Sequence, residues 1–172
     1  MSNRPPATEV PPYYQNYVAL VPEEEITAAL AEQAKKTAAL LRLIGDEKAS
    51  FRYAPGKWSV KQVIGHVTDA ERIFAYRALA IARGESKSLP GFDEKAYADA
   101  GDFDRRSIRD LADDYEAARR STIALFRGLS DEAWKRHGIA NDQPVHVRTL
   151  AYITLGHERH HLKVLRERYG VA

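Results

Sequence analysis

Ser59-Val60-Lys61-Gln62-Val63-Ile64-Gly65-His66-Val67-Thr68-Asp69-Ala70-Glu71, preceded by Trp58, decides how the chain is read. Ser59 and Gln62 stand at the S-x-x-Q spacing of a capping box, in which the serine hydroxyl accepts from the amide three residues on and the glutamine reaches back. A helix therefore opens at Ser59. Val63, His66, Ala70, Ile73 and Arg77 then fall on nearly one side of it, with Phe74 beside them. The run continues to about Arg83, where Gly84 supplies a stop.

Upstream, Ile26, Leu30, Ala34, Thr37, Leu41 and Ile44 recur at three- and four-residue spacing and predict a first helix beginning just after Pro22. Glu23, Glu24 and Glu25 suit the positive end of its dipole. Residues 46–58 read as a loop turning at Pro55-Gly56. Residues 1–22 hold five prolines and three tyrosines, and are expected to form an extended arm outside a domain of residues 23–172, with Tyr13, Tyr14 and Tyr17 available to lay it against the bundle. Downstream, residues 84–106 form a long connection broken by a short helix around Asp93–Ala100. A link of that length allows its flanking helices to run parallel. Ser107 caps a third helix whose apolar face is Ile108, Leu111, Tyr115, Ala118, Thr122 and Leu125, ending at Gly128. One further turn, Ser130–Trp134, leads into a loop through Asn141, Asp142 and Pro144, and a fourth helix runs from near Arg148 to Tyr169. The fold class is all-α, a four-helix bundle.

Composition narrows the chemistry. The 172 residues carry 26 basic and 24 acidic side chains, a balance that gives no reason to expect nucleic-acid or anionic-membrane binding. Arg105-Arg106 and Arg119-Arg120 read as solvated helix surface. With no cysteine, thiolate catalysis and cysteine-ligated zinc are excluded. No apolar stretch is long enough to span a bilayer and the N-terminus has no signal-peptide core, so a cytoplasmic protein is expected.

Three of the six histidines crowd into Gly156-His157-Glu158-Arg159-His160-His161. Residues four apart share a helix face, so His157 and His161 can hold one divalent ion, and Leu150, Ile153 and Val164 make that face apolar. Imidazoles buried there need either a metal or a hydrogen-bonding partner. His66 alone reads as a hydrogen-bonded core histidine, yet in an antiparallel pairing it lies level with His161. Three neutral imidazoles from two helices would suit a borderline metal and leave a position for water or substrate. His157-Glu158 also begins a zincin-like pattern, although Glu158 points about 100° away from His157 and could equally be surface. Asp69 could orient an imidazole or be an exposed helix charge. His160 sits on the flank, and His137 and His146 read as surface.

The segment from Trp58 to Glu71 resembles the W-S-x-x-Q-x-x-x-H-x-x-D-x-E stretch of the DinB-like (YfiT-like) metal-dependent hydrolase superfamily, and residues 156–161 are similar to its C-terminal H-x-x-x-H helix. The resemblance covers roughly residues 22–169. It implies an up-down-down-up bundle, a divalent ion such as zinc or nickel on His66, His157 and His161, and a homodimer. It also implies a small-molecule substrate, because members include hydrolases, an isomerase and transferases that use a low-molecular-weight thiol. Fold does not fix function, so three readings stand. The first is a metal-dependent hydrolase or thiol transferase, with Glu158 and His160 as candidate bases. The second is a metal-binding or stress-response protein without turnover. The third is a metal-free helical dimer.

Overall fold

A computed structural model describes residues 4–171; residues 1–3 of the expected arm and residue 172 of the expected domain lie outside the described residues. Four long helices form the bundle. In chain order the helices are α1 (Gln15–Val18), α2 (Ile26–Leu43), α3 (Asp46–Ser50), α4 (Val60–Ala82), α5 (Glu94–Ala100), α6 (Ile108–Arg127), α7 (Asp131–Lys135) and α8 (Val147–Tyr169). The bundle is α2, α4, α6 and α8, with α4 packed on α8 and α6, and α2 packed on α6 and α8. The two helices joined by the long connection, α4 and α6, run parallel. Contacts between them climb together along the chain, from Ser59 with Asp104 to Arg72 with Asp114 and Glu71 with Arg119. This is the up-down-down-up order.

The capping box forms as its spacing requires. The Gln62 amide donates to Ser59 Oγ at 3.0 Å and the Ser59 amide donates to Gln62 Oε1 at 3.1 Å. The expected apolar face of the first helix is buried at Ile26, Leu30, Thr37, Leu41 and Ile44. That helix starts at Ile26 rather than directly after Pro22. The Glu23 and Glu24 carbonyls are occupied by the Tyr152 hydroxyl at 2.8 and 3.1 Å, and the Glu23 carboxylate by Arg159.

Three local expectations are corrected. The stretch before Pro22 is not extended: it coils through short turns at Ala7–Glu9 and Pro12–Tyr14 into α1, with Pro6 and Pro11 just before the two turns and Pro12 opening the second, where a missing donor costs nothing. The loop after Gly45 begins with α3. The segment around Asn141 and Asp142 is a hairpin, β1 (His137–Ala140) against β2 (Gln143–His146), antiparallel with His137 opposite His146. Asn141 and Asp142 both take positive φ, 52° and 58°, the backbone signature of a two-residue hairpin turn. Leu89 from the long connection bonds to this hairpin through Ile139 O and the Asn141 amide. No helix among the described residues is long and apolar enough to cross a membrane.

Candidate metal centre

The structure brings His66, His157 and His161 together. His66 Nε2 and His161 Nε2 each stand 3.1 Å from His157 Nε2. One ligand-capable nitrogen from each ring lies within 4.8 Å of the others. Two features deliver them. His157 and His161 are successive turns of α8, and antiparallel packing of α4 on α8 sets His66 at the same depth.

Hydrogen bonding alone does not account for this geometry. An imidazole nitrogen has one in-plane site, carrying either a proton or a lone pair. His157 Nε2 cannot make a well-directed bond to both neighbours at once. Three ligand-capable nitrogens on neutral rings, this close together, are instead a donor set that suits a cation. Two nitrogens each about 2.0–2.1 Å from one ion can lie at most about 4.2 Å apart, so at 3.1 Å His157 could share an ion with either neighbour.

The electrostatics agree. Burial pushes His66 down to about 4 and His161 down to about 3, and it holds His157 well below the ordinary imidazole range. All three rings are therefore neutral at pH 7, the form that ligates. His66 rests against Trp58 with ring centres 4.9 Å apart, and His157 lies between Tyr17 and Phe74 at 5.5 and 5.6 Å.

The N-terminal stretch helps build this site. A Cβ on Gly156 would stand 2.1 Å from the Tyr17 carbonyl oxygen, so glycine before His157 is what lets α1 lie directly on α8. Glu9 pairs with Arg148, and Arg159 donates to Leu20 O at 2.9 Å. The result is a cavity of about 140 Å³ beside the imidazoles, lined among others by Tyr14, Tyr17, His66, Phe74, Arg77 and His157.

Glu158 is neither a surface residue nor a base. It is fully buried on the other side of α8. Its Oε1 accepts from Thr37 Oγ1 at 2.5 Å and Tyr115 Oη at 2.8 Å, and its Oε2 from Arg119 Nη2 at 2.7 Å. Both oxygens are occupied away from the imidazoles, so the zincin-like spacing carries no peptidase geometry. Arg119 also grips both oxygens of Glu71, at 2.7 and 2.8 Å. Reading Arg119 as solvated surface is therefore corrected: it lies one turn beyond Tyr115, on the buried stripe of α6, and only Arg120 is exposed. Asp69 accepts from Arg72 rather than from His66. His160 leans on Tyr17 and His161 from the flank, with ring centres at 5.3 and 5.1 Å. His137 is exposed, and half-buried His146 lies beside it with the two rings tilted by 38°.

Comparison with known proteins follows the same lines. A protein of Oceanobacillus iheyensis, whose name proposes a metal-dependent hydrolase, is 28% identical over 127 residues, covering 69% of this chain and 69% of that one. YfiT from Bacillus subtilis, described as a probable metal-dependent hydrolase with an unusual four-helix bundle topology, matches with a TM-score of 0.74 at 20% identity, over 98% of this chain and 94% of its own. A mycothiol-dependent maleylpyruvate isomerase matches with a TM-score of 0.65 at 15% identity, over 84% of this chain and 61% of its own. At those identities the two structures speak for the fold alone. The family model of the DinB superfamily matches residues 29–165, and so spans both halves of the histidine pattern. The chain belongs to the DinB superfamily.

Proposed function

We propose that the chain is a metal-dependent enzyme acting on a small molecule, with His66, His157 and His161 holding one divalent ion, zinc or nickel. The observation that carries this reading is the convergence of three neutral Nε2 atoms beside an open cavity. Among the described residues no fourth carboxylate or histidine joins the cluster. A closed four-ligand site marks a structural ion, whereas three protein ligands facing a cavity leave room for a reacting group. A bound ion supplies Lewis acidity there and lowers the pKa of a water or thiol placed beside it. The chain's own part is to keep the rings neutral and oriented, and to exclude bulk water with Trp58, Phe74 and Tyr17. Hydrolysis and transfer of a low-molecular-weight thiol both fit this arrangement. The names of the hydrolase relatives and of the mycothiol-dependent isomerase support small-molecule chemistry of this kind.

His161→Ala should lower the metal content of untagged protein from one equivalent to near zero. It should also lower the melting temperature in saturating metal, since an ion at a hundred times its Kd adds about 2.7 kcal/mol. Elemental analysis and thermal melts read both. Wild type that binds well below one equivalent would sink the assignment.

The same reading includes a homodimer. Tyr76 and Leu79 are 57% and 40% exposed on the outer α4–α6 groove, a surface that a second copy would cover. Light scattering at micromolar concentration should give twice the chain mass. A monomer mass overturns this point and leaves the metal centre untouched.

A further inference from the structure

Arg77 is the group in this cavity that the metal centre leaves unexplained. It lies eleven residues beyond His66 on α4, about 16 Å along the axis but only about 20° around it. Helical side chains lean back toward the N-terminus of their helix, which carries the guanidinium toward the histidines. Arg77 lines the same cavity as His66 and His157, and it is 3% exposed.

A cation so buried needs an anion. Arg119, the other deeply buried arginine among the described residues, has two carboxylates. Arg77 has none. Its Nη2 donates to Pro90 O at 2.7 Å, and the guanidinium hydrogen-bonds the Tyr14 hydroxyl; both partners are neutral. Among the described residues it forms no ion pair. Glu94 also lines the cavity, but it is exposed and does not pair with Arg77. Of the five N–H donors of a guanidinium, these contacts leave several for a ligand.

We propose that Arg77 binds the carboxylate of a small acidic substrate and holds its other end toward His66 and His157. The position of that reacting end rests on the metal-centre reading; the anion site itself does not. A guanidinium fork matches a carboxylate with two parallel hydrogen bonds. Size also limits the occupant. A cavity of about 150 Å³ admits benzene, so about 140 Å³ suits a short aliphatic acid rather than a peptide or a nucleotide.

Butyrate and butyramide have the same size and shape and differ in charge, so they test the assignment. In ligand-observed NMR titrations of the metal-loaded chain, butyrate should bind at least about tenfold more tightly, as expected for charge-assisted bonds. Arg77→Gln should abolish that preference. Arg77→Lys, which keeps the charge but loses the fork, should weaken butyrate several-fold and leave butyramide unchanged. Metal-free wild type should retain the preference. Undiminished butyrate affinity in Arg77→Lys overturns the proposal, and this variant decides the matter if circular dichroism shows that Arg77→Gln does not fold. A preference that disappears on removing the metal also overturns it, because the carboxylate would then sit on the ion. Metal content measured in parallel separates the two ideas. One equivalent of ion without a carboxylate preference overturns the Arg77 assignment alone, and the preference in protein that takes up no ion when metal is supplied overturns the metal centre alone.

Discussion

Arg119→Met should lower folding stability by about 3–5 kcal/mol, more than a typical single substitution. The arginine is 0% exposed and sits between Glu71 of α4 and Glu158 of α8, giving both oxygens of the first and one of the second a charged donor. Removing it leaves two buried carboxylates with one counter-charge fewer than before. The Tyr115 and Thr37 hydroxyls still reach Glu158, but they are neutral and do nothing for Glu71. Tyr115 stays a neutral donor, because burial and then the Glu158 charge hold its phenol well above its ordinary range. Urea unfolding of the variant beside Arg120→Met measures the effect. Arg120 lies on the outer surface, with a side chain 72% exposed and one long contact to Glu116, and its loss should stay within about 0.5 kcal/mol. A loss below about 1 kcal/mol for Arg119→Met would show that the triad is not a tension-bearing junction of three helices.

The same residue shows what a sequence exposes and what it conceals. Helix positions, caps and the His157/His161 pair were legible because each is a local regularity: the Ser59–Gln62 spacing, the 3.6-residue apolar recurrence, two histidines one turn apart; His66 joined the pair through the resemblance to the DinB-like pattern. The depth match between His66 and His161 needed only the antiparallel pairing. Arg119 was legible in principle, since it falls one turn after Tyr115, but its charge argued for surface until Glu71 and Glu158 were seen across from it. Partners from two other helices are a tertiary fact. The hairpin escaped for a different reason. Its strands have four residues each, and Gly138 and Pro144 weaken both as strand signals. Their pairing is secured by Leu89, some fifty residues upstream, through bonds that no local pattern announces. The N-terminal stretch was misjudged because proline content was read as extension. What decides its path is Gly156, on a helix far along the chain, where the absence of a side chain makes a seat for Tyr17. Arg77 was placed on the right face of its helix, yet a missing counter-ion becomes visible only once every neighbour is known.

Stability of the metal-free chain should fall steeply between pH 7 and pH 5. Burial depresses His66 to about 4 and His161 to about 3, and His157 lies well below its ordinary range, whereas all three titrate near 6.5 in the unfolded chain. Below about pH 6.5 the unfolded state therefore binds protons that the folded state refuses, and stability declines with falling pH. The contribution is fully present above the unfolded value and is exhausted once pH has dropped through the folded values near 4 and 3. At pH 5 His66 and His161 each account for about 2 kcal/mol, and His157 adds to the loss in the same direction. That is a large part of the roughly 5–15 kcal/mol that stabilises a typical domain, so the chelator-treated protein should be markedly easier to unfold at pH 5 than at pH 7. Asp69, raised by burial, acts in the opposite sense, but from the lower starting point of a carboxylate. Glu9 and Glu23, lowered by Arg148 and Arg159, add to the loss only at more acid pH. Urea titrations at pH 7, 6 and 5 give the slope, and His66→Asn should reduce it. Loaded protein should hold its stability further into acid, because each proton must first displace the ion. A metal-free stability that stays level from pH 7 to pH 5 would mean that the three rings accept protons in place. The cluster would then be too well solvated to be the neutral ligand set that its burial describes.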